Sequence, residues 1–154
     1  MIILPAIDLK DNKCVRLQQG KADAVTVYSD NPLAQARTWV EQGAKQLHVV
    51  DLDGAFHGEP RHAPVIGEII RTLRIPVEVG GGLRTDAQIE RLLNEGVARA
   101  IIGTRALESR TLVADLVKRF GDRIAVGIDA RDGFVQVKGW VETTQTQAID
   151  LAQQ

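Results

Sequence analysis

The sequence predicts an α/β chain of (β/α)₈-barrel type, with about the first five βα units present, and three observations carry that prediction. Apolar strand-like runs alternate with segments of helical period, which calls for parallel strands joined by right-handed crossovers. Polar or glycine residues stand at the C-terminal end of each strand: Asp8, Asp51, Gly80 to Gly82, Gly103-Thr104 and Asp129. A doubly wound sheet gathers its site at one switch point, whereas a barrel mouth draws on every strand end. Third, the chain nearly repeats itself. IDARDGFVQVKGW at Ile128 follows IDLKDNKCVRLQQG at Ile7, pairing Asp8 with Asp129, Lys10 with Arg131 and Asp11 with Asp132 at an offset of 121 residues. After a one-residue slip, Val15-Arg16-Leu17 pairs with Val135-Gln136-Val137. Two copies of this size approach the ~250 residues typical of such a barrel. The reading is one incomplete domain over residues 1–154, with a first half-barrel over about 1–121 and a second beginning at about 122.

The elements follow in order. Ile2 to Ile7, apolar apart from Pro5, suits a strand buried on both faces. An excursion from Leu9 to Asp30 includes a short strand at Cys14–Gln18 and an exposed loop. Asn31-Pro32 opens the first helix, whose apolar face carries Leu33, Ala36, Trp39 and Val40, and Gly43 lies past its end. Gln46 to Leu52 is the second strand, and Pro64 opens a helix through Leu73 with Val65, Ile66, Ile69 and Ile70 facing inward. Ile75 to Val79 is the third strand. Thr85 with Gln88 reads as a capping box for a helix closed by Gly96. Ala98 to Ile102, a helix over Leu112–Phe120 ended by Gly121, and Ile124 to Ile128 come next, and a further helix is expected from Thr144 onward.

Composition excludes several classes. Nineteen basic against twenty acidic side chains give a net charge of −1, no field to draw nucleic acid or an anionic membrane. No run reaches the eighteen or so apolar residues of a membrane helix, and the apolar N-terminus lacks the basic leader of a secretory signal, so a cytoplasmic location is expected. The single cysteine, Cys14, rules out an intrachain disulfide and alternates as a small core-facing residue.

Two constellations carry chemistry. Asp8 and Asp129, at equivalent positions of the two copies, would face one another across a barrel mouth and could act as acid and base at two places on one substrate. VEVGGGLRT, Val77 to Thr85, offers backbone N–H groups at Gly81 and Gly82, the positive end of the helix after Thr85, and the guanidinium of Arg84. Gly103 and Thr104 add donors from the adjacent strand, so the pair of loops points to one phosphate, although such glycines also make tight turns. The run lacks the G-x-G-x-x-G spacing, which disfavours a nucleotide cofactor. Weaker candidates are Arg16, able to meet an anion, and Trp140, able to stack on a planar ligand. Asp51 is expected to point into the mouth in preference to Asp53, and His48 reads as structural. His57 and His62 flank Glu59 without a recognised metal spacing, so no metal is expected.

PAIDLKDNKCVRLQQGKA, LHVVDLDGAF, VEVGGGLRT, AIIGTRAL and GIDARDGFVQVKGW together resemble, in order and spacing, the phosphoribosylformimino-aminoimidazole-carboxamide ribotide isomerases of histidine biosynthesis. The resemblance covers essentially all 154 residues. It implies a ribulose-phosphate-binding type of (β/α)₈ barrel built from two similar halves, and an Amadori rearrangement that turns an N-linked phosphoribosyl aminoaldose into an aminoketose without metal or cofactor. It implies Asp8 as general base and Asp129 as general acid. It implies phosphate contacts from Gly81, Gly82, Arg84, Gly103 and Thr104, with Arg16 and Trp140 also at the substrate.

The substrate so implied is a ribotide carrying a phosphate at each end. In that family three more strands follow, with a threonine on the sixth and a second phosphate loop, and neither falls before Gln154. A complete barrel is expected to be monomeric, and this span alone to be silent and to self-associate. The alternatives are the sister cyclase of the same pathway, an isomerase that also serves tryptophan biosynthesis, and a non-catalytic phosphate-binding barrel fragment. PAID and VRLQQG favour the isomerase over the cyclase.

Overall fold

In the computed structural model, which describes residues 1–18, 24–107, 110–137 and 142–154, two sheets form. The larger has seven strands. β1 (Ala6–Lys10), β4 (Leu47–Asp51), β5 (Val77–Gly80), β6 (Arg99–Ile102) and β7 (Ile124–Val126) lie side by side in sequence order, all parallel. β2 (Lys13–Leu17) and β3 (Val25–Ser29) extend it antiparallel beyond β1. Neighbours in sequence order without a reversal are the order of a barrel, and not of a doubly wound sheet.

Four helices cover one face. α1 (Pro32–Glu41), α3 (Ala63–Leu73), α4 (Asp86–Asn94) and α5 (Arg110–Phe120) place Ala36, Ile66, Ile69, Ile89, Leu92, Leu93 and Leu116 in a single core. That core also takes alternate strand residues: Ile7 and Leu9, Leu47 and Val49, Val77 and Val79, Ala100 and Ile102. The residues between them, Asp8, His48, Val50, Glu78, Gly80 and Ile101, therefore occupy the opposite face, because side chains alternate along a strand. Register aligns Asp8 with Val50, Val50 with Gly80 and Gly80 with Ile101 across four strands.

Local punctuation builds the helices as the sequence indicates. The Asn31 side chain accepts from the Ala34 N–H with Pro32 in the first turn, and Thr85 and Gln88 make the reciprocal capping box. Cys14 is buried in the core, and burial pushes its thiol up to about 11. No helix of the described residues is long and apolar enough to cross a membrane.

Several expectations are corrected. The first strand runs over Ala6–Lys10, not Ile2–Ile7. Ile2 and Ile3 are 72% and 69% exposed, since no strand of the described residues lies beside them and only the Pro5 carbonyl reaches the neighbour, at the His48 N–H. The excursion contains β3, whose Val25, Val27 and Tyr28 are exposed, and α2 (Leu52–His57) follows β4 directly, capped by Asp51. Beyond β7 the chain forms β8 (Ala130–Arg131), β9 (Phe134–Val137) and β10 (Glu142–Gln147), an antiparallel three-stranded sheet, so Thr144 lies in a strand. Only α6 (Ala148–Ala152) is helical there, because the threonine- and glutamine-rich run pairs with β9 before a helix can start.

The slip in the repeat also disappears. Asp8 pairs with Val15 and Lys10 with Lys13, while Arg131 pairs with Phe134 and the Gln136 N–H donates to the Asp129 carbonyl. One constant offset of 121 residues maps the first hairpin onto the second, so Cys14-Val15-Arg16, not Val15-Arg16-Leu17, corresponds to Val135-Gln136-Val137. The turns agree as well, with positive φ at Asp11 and Asn12 and at Asp132 and Gly133, the two-residue geometry that suits the twist of a hairpin.

Candidate active site

Two adjacent cavities flank the sheet, the larger wrapping the β1–β2 region from the open face round to α1 and the smaller at the ends of β5 and β6. One of about 770 Å³ is lined by Asp8, Arg16, Leu17, Tyr28 and Trp39, and the other of about 220 Å³ by Gly81, Gly82, Arg84, Gly103, Thr104 and Asp129. Gln136 borders both. Eight of the nine predicted site residues thus line one cavity or the other, and the two aspartates are divided between them. Trp140 lies outside the described residues.

Asp8 is half-buried on β1, within the parallel ladder. Burial raises its carboxyl above the ordinary value, against the opposing pull of His48 and Arg16. A carboxylate held that way is a stronger base than a solvated one. Asp129 is exposed three residues past the end of β7, at the foot of the second hairpin.

The glycine run serves packing first. A Cβ on Gly81 would lie 2.1 Å from the Asp51 carbonyl oxygen, and one on Gly82 would lie 2.7 to 2.9 Å from the backbone of Glu59 and Gly54. Both glycines have positive φ, at 107° and 75°, so no other residue suits either position. Gly82→Val would therefore break the fold. The helix end behind the loop is also engaged. Gln88 Oε1 accepts from both the Arg84 and Thr85 N–H groups, so two donors expected for an anion are used internally. The backbone of Gly81 to Leu83 and the side chain of Arg84 face the cavity, with Gly103 and Thr104 on its other side. The Arg84 guanidinium pairs with no carboxylate among the described residues, which leaves its charge available.

Asp51 does not point into the mouth. It is 1% exposed on the helix side, where its carboxylate accepts from the N–H groups of Gly54 at 2.7 Å, Arg61 at 2.6 Å and His62 at 2.9 Å. It shapes the 52–62 connection against which Gly81 and Gly82 pack. Sequence reasoning missed a polar row beneath the aspartates. His48 Nδ1 lies 2.7 Å from Glu78 Oε1, Arg99 Nη1 3.5 Å from Glu78 Oε2, and His48 lines the smaller cavity. The signal was a period-2 alternation, since His48, Glu78 and Arg99 interrupt apolar strands at positions that register brings together. No group of three or more candidate metal ligands occurs among the described residues.

Known proteins similar to this chain carry one name. A curated protein of Desulfatibacillum aliphaticivorans is 52% identical over 152 residues, covering 99% of this chain and 61% of its own length. A relative from Roseiflexus castenholzii is 53% identical over 151 residues, 98% of this chain and 64% of its own. A third, from Moorella thermoacetica, is 49% identical over 154 residues, 100% of this chain and 63% of its own. Each is named 1-(5-phosphoribosyl)-5-((5-phosphoribosylamino)methylideneamino) imidazole-4-carboxamide isomerase. This chain spans a little over three-fifths of the length of those relatives. Residues 2–154 match the family model described as histidine biosynthesis protein, and the chain belongs to that family.

Proposed function

We propose that this chain carries the base, the acid and one phosphate site of an aldose–ketose isomerase that acts on a phosphoribosyl-aminoimidazole carboxamide ribotide. The names of the relatives support the reaction class, and one observation carries the roles. Asp8 and Asp129 stand at the same register position of two matching hairpins, on adjoining cavities that share Gln136. In the proposed reaction Asp129, as the carboxylic acid, gives its proton to the ribosyl ring oxygen while the bond from that oxygen to the anomeric carbon breaks, leaving an iminium. Asp8, as carboxylate, takes the proton from the neighbouring carbon to give an enolamine and returns a proton to the former anomeric carbon, while the enol hydroxyl gives up its proton to the Asp129 carboxylate, leaving the aminoketose and both carboxyl groups in their starting states. The change is isoelectronic overall and requires no external oxidant or reductant. The raised carboxyl of Asp8 favours its role as base at neutral pH.

Gly81, Gly82, Arg84, Gly103 and Thr104 are assigned to one phosphate of the substrate, with Arg16 and Trp140 at its remainder. The smaller cavity at the ends of β5 and β6 supports the phosphate assignment. The test is turnover of the ribotide by the complete barrel. Asp8→Asn and Asp129→Asn should each lower kcat by about 10²–10⁴, and retention of more than about a tenth of wild-type turnover by either variant overturns the assignment.

A further inference from the structure

His62 precedes α3 and is 3% exposed, yet its side chain does not cap that helix. The ring reaches instead to the turn of the first hairpin. Nδ1 lies 3.1 Å from Asn12 Oδ1, and Nε2 lies 2.8 Å from Asp53 Oδ2, the same oxygen that accepts the Asp11 N–H at 2.8 Å. The His62 N–H in turn donates to Asp51. One buried residue therefore joins the tip of the β1–β2 hairpin and the first turn of α2 through its ring, and the end of β4 through its backbone, at the start of α3. None of Asn12, Asp53 and His62 lines either cavity. Burying a polar ring between an amide and a carboxylate is unfavourable unless its hydrogen bonds are made, and a fully satisfied buried network fixes one arrangement of the segments it joins.

We propose that His62 is a positioning residue which, through Asn12 and Asp53, latches the hairpin carrying Asp8 and Arg16 onto the 52–62 connection, and so fixes the larger cavity relative to the smaller. The other half of the linkage is the contact already described, in which that connection presses on Gly81 and Gly82. Asp11 and Asn12 both hold positive φ, a conformation Asp and Asn adopt more readily than other non-glycine residues, and the bonds to Asp53 and His62 hold that turn against the 52–62 connection. Among the described residues the second hairpin has no such latch: its tip is Asp132-Gly133, and a Cβ on Gly133 would meet nothing within 4 Å. The catalytic consequence rests on the isomerase reading. The latch itself does not.

The experiment compares this chain with its His62→Phe variant, which keeps the ring volume without donors, and with Asn12→Gly, which removes the partner at a positive-φ position that glycine tolerates. Amide hydrogen exchange is followed at Asp11 and at the core strands, and inorganic phosphate affinity is measured by titration. In both variants the Asp11 N–H should exchange at least about tenfold faster, with Val49 and Val79 unchanged, and phosphate affinity should stay within about twofold. His62→Gln, which retains an amide donor, should recover part of the protection. In the complete barrel kcat should fall by about tenfold or more with a smaller change in KM, as expected when reacting groups are misplaced without loss of binding contacts. Unchanged Asp11 exchange, or equal acceleration in every strand, overturns the latch. Altered exchange with unchanged kcat overturns the positioning role. A wild-type barrel without turnover refutes the isomerase reading and leaves the exchange comparison to decide the latch.

Discussion

The two hairpins share a turn, a register and an aspartate, yet they sit in different surroundings. In the first, Leu9, Cys14 and Val15 are buried, β2 adds to the main sheet, and the tip is tied to Asp53 and His62. In the second, Ala130 and Arg131 are exposed although Val135 and Gln136 on the strand opposite are buried, the strands form a separate sheet with β10, and the tip meets the start of α6, where the Ala148 N–H donates to the Gly133 carbonyl. Local turn chemistry therefore determines the shape of each hairpin, and contacts distant in sequence determine how firmly it is held. Asp8 inherits a partly desolvated place and Asp129 an exposed one.

The sharpest way to break the comparison is chemical. If the two aspartates divide one reaction, either Asn substitution in the complete barrel costs about 10²–10⁴ in kcat, and a large loss from one alone would mean that the hairpins match only in shape. Next in size is a glycine pair. Gly81→Ala drives a Cβ into the Asp51 carbonyl, so it should abolish folding or lower stability by several kcal/mol. Urea denaturation reads this directly.

A third test sets the two carboxylates of the first hairpin region against each other by pH. The folded-state value of Asp8 is raised by burial, so its charge destabilises the fold above that value, and the penalty vanishes below the ordinary carboxylate value of about 3.9. Asp8→Asn should accordingly raise Tm at pH 7, with the gain closing as pH falls towards about 3. Burial also pushes Asp53 up, but the Asp11 N–H and His62 outweigh it and hold the carboxyl below its usual range. Its contribution is present above the ordinary value and lost as pH falls through the lowered one, so Asp53→Asn should lower Tm at pH 7 and converge with wild type in acid. The smallest effect belongs to Gly133→Ala: φ is 84° with open space around it, and about 1 kcal/mol is expected from the backbone alone.

What the sequence revealed was what neighbours in the chain decide. Asn31-Pro32, the Thr85–Gln88 box, Gly96 and Gly121 mark helix ends because capping acts over three or four residues. The order of the βα units followed from their alternation. What stayed hidden needed partners far along the chain. β3 has exposed residues without alternation and exists because β2 pairs with it. His48 and Glu78 meet only through the register of β4 on β5, and His62 finds Asn12 across fifty residues. Asp51 read as a mouth residue because it ends a strand, but side-chain parity on β4 turns it to the helix side with Leu47 and Val49. The slip in the repeat came from aligning like letters, where the hairpin conserves pairing partners instead.

The sequential order of the parallel strands has a consequence for synthesis. Each strand of the series β1, β4, β5, β6, β7 pairs with the one made immediately before it. A chain emerging from the ribosome thus always has its docking edge already in place, and each new strand closes a loop of one or two α-helices, with the β2–β3 hairpin as well in the first. Such short loop closures favour fast, ordered accretion from the N-terminus. The 52–62 connection, whose Asp51 draws its three donors from within eleven residues, is complete before β5 arrives to rest its glycines upon it.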